Sequence, residues 1–244
     1  PLVLSNSYRN PALLAKMAST LDVISDGRLE LGIGAGGSEP DHLAYGFQFP
    51  NIAARVEMLE EAVCIIRKLW QENNFDFNGK YYKITNAICE PKPTQKPGPP
   101  VLIGGHGKKY LLRAVAKCAD MCNIGFDLTV DEYERSINIL REHCIQVGSD
   151  VSQIELSHNT RVIVAEDGME LEKTLKLLAD KKGLGLDEYK RSLANSLLGT
   201  PETCIRKLQD YIDIGITYFF LLFPDPVNLD MLRLFAGEVM SSFR

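Results

Sequence analysis

Basic residues are in the minority in this chain, and the shortage is informative. Lys and Arg number 27 against 32 Asp and Glu, a formal charge of −5. A dedicated nucleic-acid binder carries a basic stripe, so the composition argues against that class. It leaves room for one phosphate on a small molecule, because a few backbone amides can hold it. Cysteine is also sparse, six in 244 residues, which is too few and too scattered for a disulfide scaffold. Cys64, Cys118, Cys144 and Cys204 fall in helix-like apolar patterns and read as buried free thiols. Cys118 and Cys122 lie four apart with no second ligand pair. None of the four histidines pairs at metal-ligand spacing with a third partner, so no metal site is expected. There is no Gly-x-Ser-x-Gly elbow and no Gly-Lys-Ser or Gly-Lys-Thr phosphate loop. No apolar run approaches the ~20 residues of a membrane span. The chain starts at Pro1 without a signal-peptide pattern, and a cytoplasmic protein is expected.

What is present is an alternation. Apolar residues make up 45% and charged residues 24%, enough for a full core. The length matches one α/β barrel of about 250 residues. Residues 2–5 form a short apolar run. Asn10 as cap and Pro11 in the first turn open a helix over 12–24, which Ser25-Asp26-Gly27 ends. Residues 29–33 read as a strand, with Gly34, Ala35, Gly36 and Gly37 as a glycine-rich turn off its C-terminal end. A helix over 52–71 places Val56, Leu59, Val63, Ile66 and Trp70 on one face. Asn78-Gly79 gives the two-residue hairpin signal within 75–84, and five prolines make 90–100 an extended connector. These two form a small insertion at about 73–100 in one domain spanning 1–244. A strand at 101–103 runs into Gly104-Gly105-His106-Gly107, followed by a helix over 109–118 and a strand at 121–124. Beyond it come a helix over 128–146, a strand over 155–164, helices over 169–181, 186–197 and 201–214, a strand at 217–223 and a helix over 229–240. Strand followed by helix, repeated, implies a parallel sheet covered by helices, open or closed into a barrel. In either case the C-terminal strand ends carry the site.

Two glycine clusters are the candidates. Gly32, Gly34 and Gly37 have the Gly-x-Gly-x-x-Gly spacing of a dinucleotide fingerprint. The context differs, because a loop through Ser38-Glu39-Pro40-Asp41 is expected where a helix should begin. A strand end that lets a flat ligand approach the backbone fits better. Gly104, Gly105, His106 and Gly107 lie between strand and helix, so they read as an anion site or as a tight turn that needs glycine geometry. Arg55 can face solvent or the mouth of the site, and the solvated reading is favoured. No residue stands out as acid or base; His42 is the candidate to be named.

The motifs together resemble a known family. Asn10-Pro11-Ala12-Leu13-Leu14-Ala15-Lys16, the run from Ser25-Asp26-Gly27-Arg28 to Gly34-Ala35-Gly36, and Arg55 with Leu59-Glu60-Glu61-Ala62 are part of the pattern. So are Pro91-Lys92-Pro93, Pro100-Val101-Leu102-Ile103-Gly104-Gly105 and Gly199-Thr200-Pro201-Glu202. Over nearly its whole length the sequence is similar to the luciferase-like monooxygenase superfamily, in the form of its branch using the deazaflavin coenzyme F420. The resemblance implies a (β/α)8 TIM barrel that binds F420, or alternatively FMN, at the C-terminal strand ends. Against that pattern the sequence is expected to lack strands one and two and part of strand three. The coenzyme would contact Leu2, Val3, Gly34, Ala35, Gly36 and Gly37, with its phosphate end at Gly104, Gly105, His106 and Gly107 and with Arg55 helping. A non-prolyl cis peptide under the ring would fall within residues 2–5. The implied activity is hydride transfer between F420 and a small organic substrate. The alternatives are an FMN-dependent monooxygenase served by a separate reductase, and a flavin-binding protein without turnover. Family membership further implies a homodimer.

Overall fold

The computed structural model describes residues 2–224 and 229–243. The chain divides into two compact units, Pro1–Asn123 with Ser136–Glu155, and Ile124–Arg135 with Leu156–Arg244.

In the first unit β1 (Leu4–Ser5) leads into α1 (Pro11–Ile24), whose start follows from local chemistry. Asn10 Oδ1 accepts from the amides of Ala12 and Leu13 at 2.9 and 3.2 Å, and Pro11 needs no acceptor for a missing N–H. Then come β2 (Leu31–Gly34), α2 (Glu39–Ala44) and the long α3 (Ile52–Gln71). The five apolar residues expected on one face of α3 are all buried, and Trp70 Nε1 donates to Ala15 O on α1 at 3.0 Å. The hairpin β3 (Phe75–Asn78) and β4 (Lys83–Ala87) precedes β5 (Val101–Gly104), α4 (Leu111–Cys118) and β6 (Met121–Phe126). Strands β1, β2, β5 and β6 run parallel in that order, Ile33 facing Leu4 on one side and Ile103 on the other.

β6 and α5 (Val130–Val147) each contribute residues to both units. The second unit centres on β7 (Glu155–Val164), parallel to β8 (Leu197–Gly199) along one edge and to β9 (Tyr218–Leu222) along the other. Helices α6 (Gly168–Lys181), α7 (Leu186–Arg191), α8 (Pro201–Asp213) and α9 (Leu229–Leu234) complete it, and α9 runs on into a π-helical turn at Phe235–Val239. Its core includes Val162, Ile163, Val164, Leu175, Leu197, Leu208 and Phe235.

Several expectations need correction. The stretch after Gly37 is helical over six residues, because Ser38 Oγ accepts from the Asp41 amide at 3.3 Å and Pro40 stands in the first turn. The helix expected over 186–197 stops at Arg191, and its last residue, Leu197, begins β8, whose pairing with β7 no local pattern announces. The hairpin loop has four residues, since Asn78 pairs with Lys83. The Glu61 carboxylate spreads it by accepting from the amides of Lys80, Tyr81 and Tyr82 at 2.7, 3.0 and 3.1 Å. The peptide bonds within residues 2–5 are trans. Among the described residues the cis bonds are Glu90–Pro91 and Lys96–Pro97, both at proline, where the tertiary amide narrows the trans preference. Cys64 is exposed rather than buried, on the outer side of α3.

Candidate active site

Glycine clears a floor at the strand ends of the first unit. A Cβ on Gly104 would lie 2.5 Å from Val3 Cγ2, and one on Gly34 would lie 3.1 Å from Val3 Cγ1. The Val3 side chain therefore occupies the space that these two glycines leave. Gly36 has φ +79°, and a Cβ there would meet Ser5 Oγ at 2.8 Å, Ser7 Oγ at 3.0 Å and His42 Cε1 at 3.1 Å. The position demands glycine on two counts, backbone conformation and space.

Above this floor is a cavity of about 400 Å³, a size suited to a small-molecule or coenzyme site. The structure places Val3, Gly34, Ala35, Gly36, Gly37, Arg55, Gly104, Gly105, His106 and Gly107 in its lining. Leu2 and His42 lie outside the lining. Sequence reasoning missed Leu4, Ser5, Ile52 and Leu111, which also line it. The signal for Ser5 was available: a polar residue ending an apolar strand beside a glycine-rich turn.

At one end the Gly105 amide is committed to Asn123 O at 2.8 Å. The Gly107 carbonyl receives the amides of Leu111 and Leu112 at 3.0 and 3.1 Å, so α4 begins at Leu111 after a turn. The His106 and Gly107 amides have no acceptor among the described residues. Gly105, at φ +137°, could not carry a side chain, since a Cβ would lie 2.4 Å from Leu111 Cδ2.

Arg55 is the main departure from the solvated reading, for only 8% of it is exposed. Its guanidinium lies 3.8 Å from the Phe49 ring centre, and Nη1 donates to Pro50 O at 2.5 Å. The Nε atom is buried and has no partner among the described residues. Burial draws the Arg55 pKa down, against an opposing pull from Glu39. Arg55 and the Gly104–Gly107 turn line the same cavity, and a buried guanidinium with an unpaired donor is a group that an anion would satisfy.

His42, on α2, is fully buried. Its Nδ1 lies 2.6 Å from Ser38 O and 3.0 Å from Tyr8 Oη. A carbonyl oxygen can only accept, so Nδ1 carries a proton and donates it there. Its Nε2 has no partner among the described residues, nor has the buried Ser5 Oγ.

His106 is exposed on its loop, and His143 Nε2 pairs with Lys108 O at 2.9 Å. No helix among the described residues is long and apolar enough to cross a membrane.

Comparison with known proteins identifies the family and the fold. The family profile described as luciferase-like monooxygenase matches residues 3–218. An F420-dependent glucose-6-phosphate dehydrogenase of Kineococcus radiotolerans is 30% identical over 254 residues, covering 96% of this chain and 74% of that protein. The monooxygenase RslO1 from Streptomyces bottropensis superposes with a TM-score of 0.81 at 19% identity, over 99% of this chain and 77% of that one. The F420-dependent tetrahydromethanopterin reductase of Methanopyrus kandleri gives 0.78 at 17% identity, over 100% and 82%. The structural likeness shows the fold, the parallel α/β class expected of a luciferase-like barrel. With the glycine-floored cavity at the strand ends and a profile match over most of the sequence, the chain belongs to the luciferase-like monooxygenase family.

Proposed function

We propose that this protein is an oxidoreductase that moves a hydride between coenzyme F420 and a small organic substrate. The observation that carries the reading is that the buried Arg55 and the Gly104–Gly107 turn line one cavity floored by glycine. A flat ring with an anionic tail has those two requirements. The bound coenzyme supplies the hydride chemistry. The chain supplies the setting. Val3, Gly34 and Gly36 give a backbone surface for the ring, and the unpaired Ser5 Oγ offers it a hydrogen bond. The His106 and Gly107 amides, with Arg55, hold the phosphate end. Leu2, ahead of β1 and outside the cavity lining, would reach the coenzyme only at the edge of this surface. Residues 36–50 form the substrate-side wall and exclude water, which strengthens every polar contact inside. His42 is the candidate for proton handling behind that wall.

The relatives named for F420-dependent dehydrogenation support the coenzyme; the likeness to the solved monooxygenase structure, at 19% identity, is one of fold. Family membership supports reading residues 1–244 as part of one luciferase-like domain, of a cytoplasmic protein that forms a homodimer. The FMN alternative requires a reductase partner. Titration of the purified protein with F420 and FMN, followed by ring fluorescence, separates the two. F420 binding at least tenfold tighter than FMN is expected, with F420 reduction by a hydroxyl-bearing donor from a panel that includes glucose 6-phosphate. Selective tight binding of FMN overturns the proposal.

A further inference from the structure

The contacts that hold Arg55 reach past the cavity into the 36–50 wall. The guanidinium lies 3.8 Å above the Phe49 ring. The Phe49 ring takes the His42 ring edge-on at 4.7 Å, with an interplanar angle of 67°. His42 is held in turn by Ser38 O at 2.6 Å and by the Tyr8 ring at 4.5 Å, and Tyr8 also meets Phe47 at 4.9 Å. His42 is fully buried and Arg55 nearly so. The stack therefore has a fixed end at His42 and a charged end at the cavity.

Arg55 forms no ion pair among the described residues, and its position comes from Phe49 and Pro50. An arginine side chain has several rotatable bonds, and its flat face needs a support if Nε–H is to stay directed. An aromatic face does this while favouring the charged form, and a desolvated cation–π contact is among the stronger ones.

We propose that Phe49 is a positioning residue for phosphate recognition: its ring, locked by His42, holds the Arg55 guanidinium in the cavity lining, preorganised for the anionic end of the coenzyme. Phe49 touches neither ring nor phosphate and acts through Arg55 alone. The inference rests on the coenzyme reading above and deepens it. One consequence is that Phe49 sets the preference for a phosphorylated over an unphosphorylated coenzyme, while leaving affinity for the ring system unchanged.

The test uses the full chain and two probes, F420 and F0, the same deazaflavin with its ribityl chain but no phosphate. Dissociation constants are read from fluorescence anisotropy, with urea midpoints as a check on folding. Wild type is expected to bind F420 more tightly than F0. Phe49→Leu, which keeps apolar bulk and loses the aromatic face, weakens F420 by about tenfold and leaves F0 unchanged. Phe49→Tyr restores F420 binding. In an Arg55→Met background, Phe49→Leu has no further effect on F420. The proposal is overturned if Phe49→Leu weakens both probes by the same factor, if it leaves F420 unaffected, or if Phe49→Tyr behaves like Phe49→Leu. Equal binding of F420 and F0 by wild type would overturn the phosphate assignment itself, and with it the inference. A wild-type preference for F420 that Phe49→Leu leaves intact defeats the inference alone.

Discussion

The molecule buries two histidines completely, one in each unit, and each leaves Nε2 without a partner among the described residues. His158, in the second unit, stacks on Tyr211 at 4.3 Å and meets Tyr133 and Phe219 edge-on, its Nδ1 paired with Tyr133 Oη at 2.9 Å. Desolvation pushes its pKa down to about 4. His42, in the first unit, stands instead beside Gly36, two serine hydroxyls and the Phe49–Arg55 stack. Burial alone therefore does not mark chemistry. Around His158 every wall is a side chain of the core. Around His42 glycine has cleared the wall, and spare polar atoms collect behind it. The same contrast holds for the cavities. That of the second unit, about 560 Å³ and lined by Leu208, Phe219, Leu221 and Phe235, offers apolar contacts; that of the first offers a buried cation and free amides.

Substitutions can break this contrast. The largest effect is expected from Gly32→Ala. Its Cβ would lie 1.8 Å from Leu2 O, a backbone atom that no rotamer change can move. A loss of about 3 kcal/mol or more in urea unfolding is expected, and loss below 1 kcal/mol would show that the β1–β2 approach is not tight. For His158 the sign follows from linkage. The folded state keeps the ring neutral down to about pH 4, while the unfolded chain protonates it near 6.5. The stabilisation is complete above pH 6.5 and is lost as pH falls from there towards 4, by about 3 kcal/mol at most. His158→Phe retains the stack and removes the titration. The stability difference between wild type and variant should shift over that window in the variant's favour; a constant difference would refute the core assignment. Gly36→Ala should be milder on stability and specific in effect. A residue at φ +79° pressing on Ser5 and Ser7 should cost F420 about tenfold in affinity by titration, and unchanged affinity would move the ring off this floor. The smallest effect belongs to Glu57→Gln. Its ion pair with Lys80, 2.6 Å long, is between two exposed side chains, so the urea midpoint should not move measurably.

Much of the fold was legible because its signals are local. Asn10 and Pro11 start α1, the apolar face of α3 is periodic, and glycines follow β2 and β5. The departures arise where a distant partner decides. Glu61 on α3 opens the hairpin loop, β7 captures the three residues of β8, and Phe49 shields Arg55 from water. The same holds within the site: both glycine clusters were visible, whereas Leu4, Ser5, Ile52 and Leu111 needed the strands and helices brought together.

The sequence by itself determined the alternation of strand and helix, the scarcity of basic charge and the glycine-rich turns at two strand ends. Those depend on caps, periodicity and backbone conformation, which act over a few residues. Tertiary structure decided that Arg55 is a buried cation lining a cavity, and that one of two buried histidines is linked to it through Phe49. Neither is a local property, because solvent exclusion at a residue is set by what the rest of the chain packs against it.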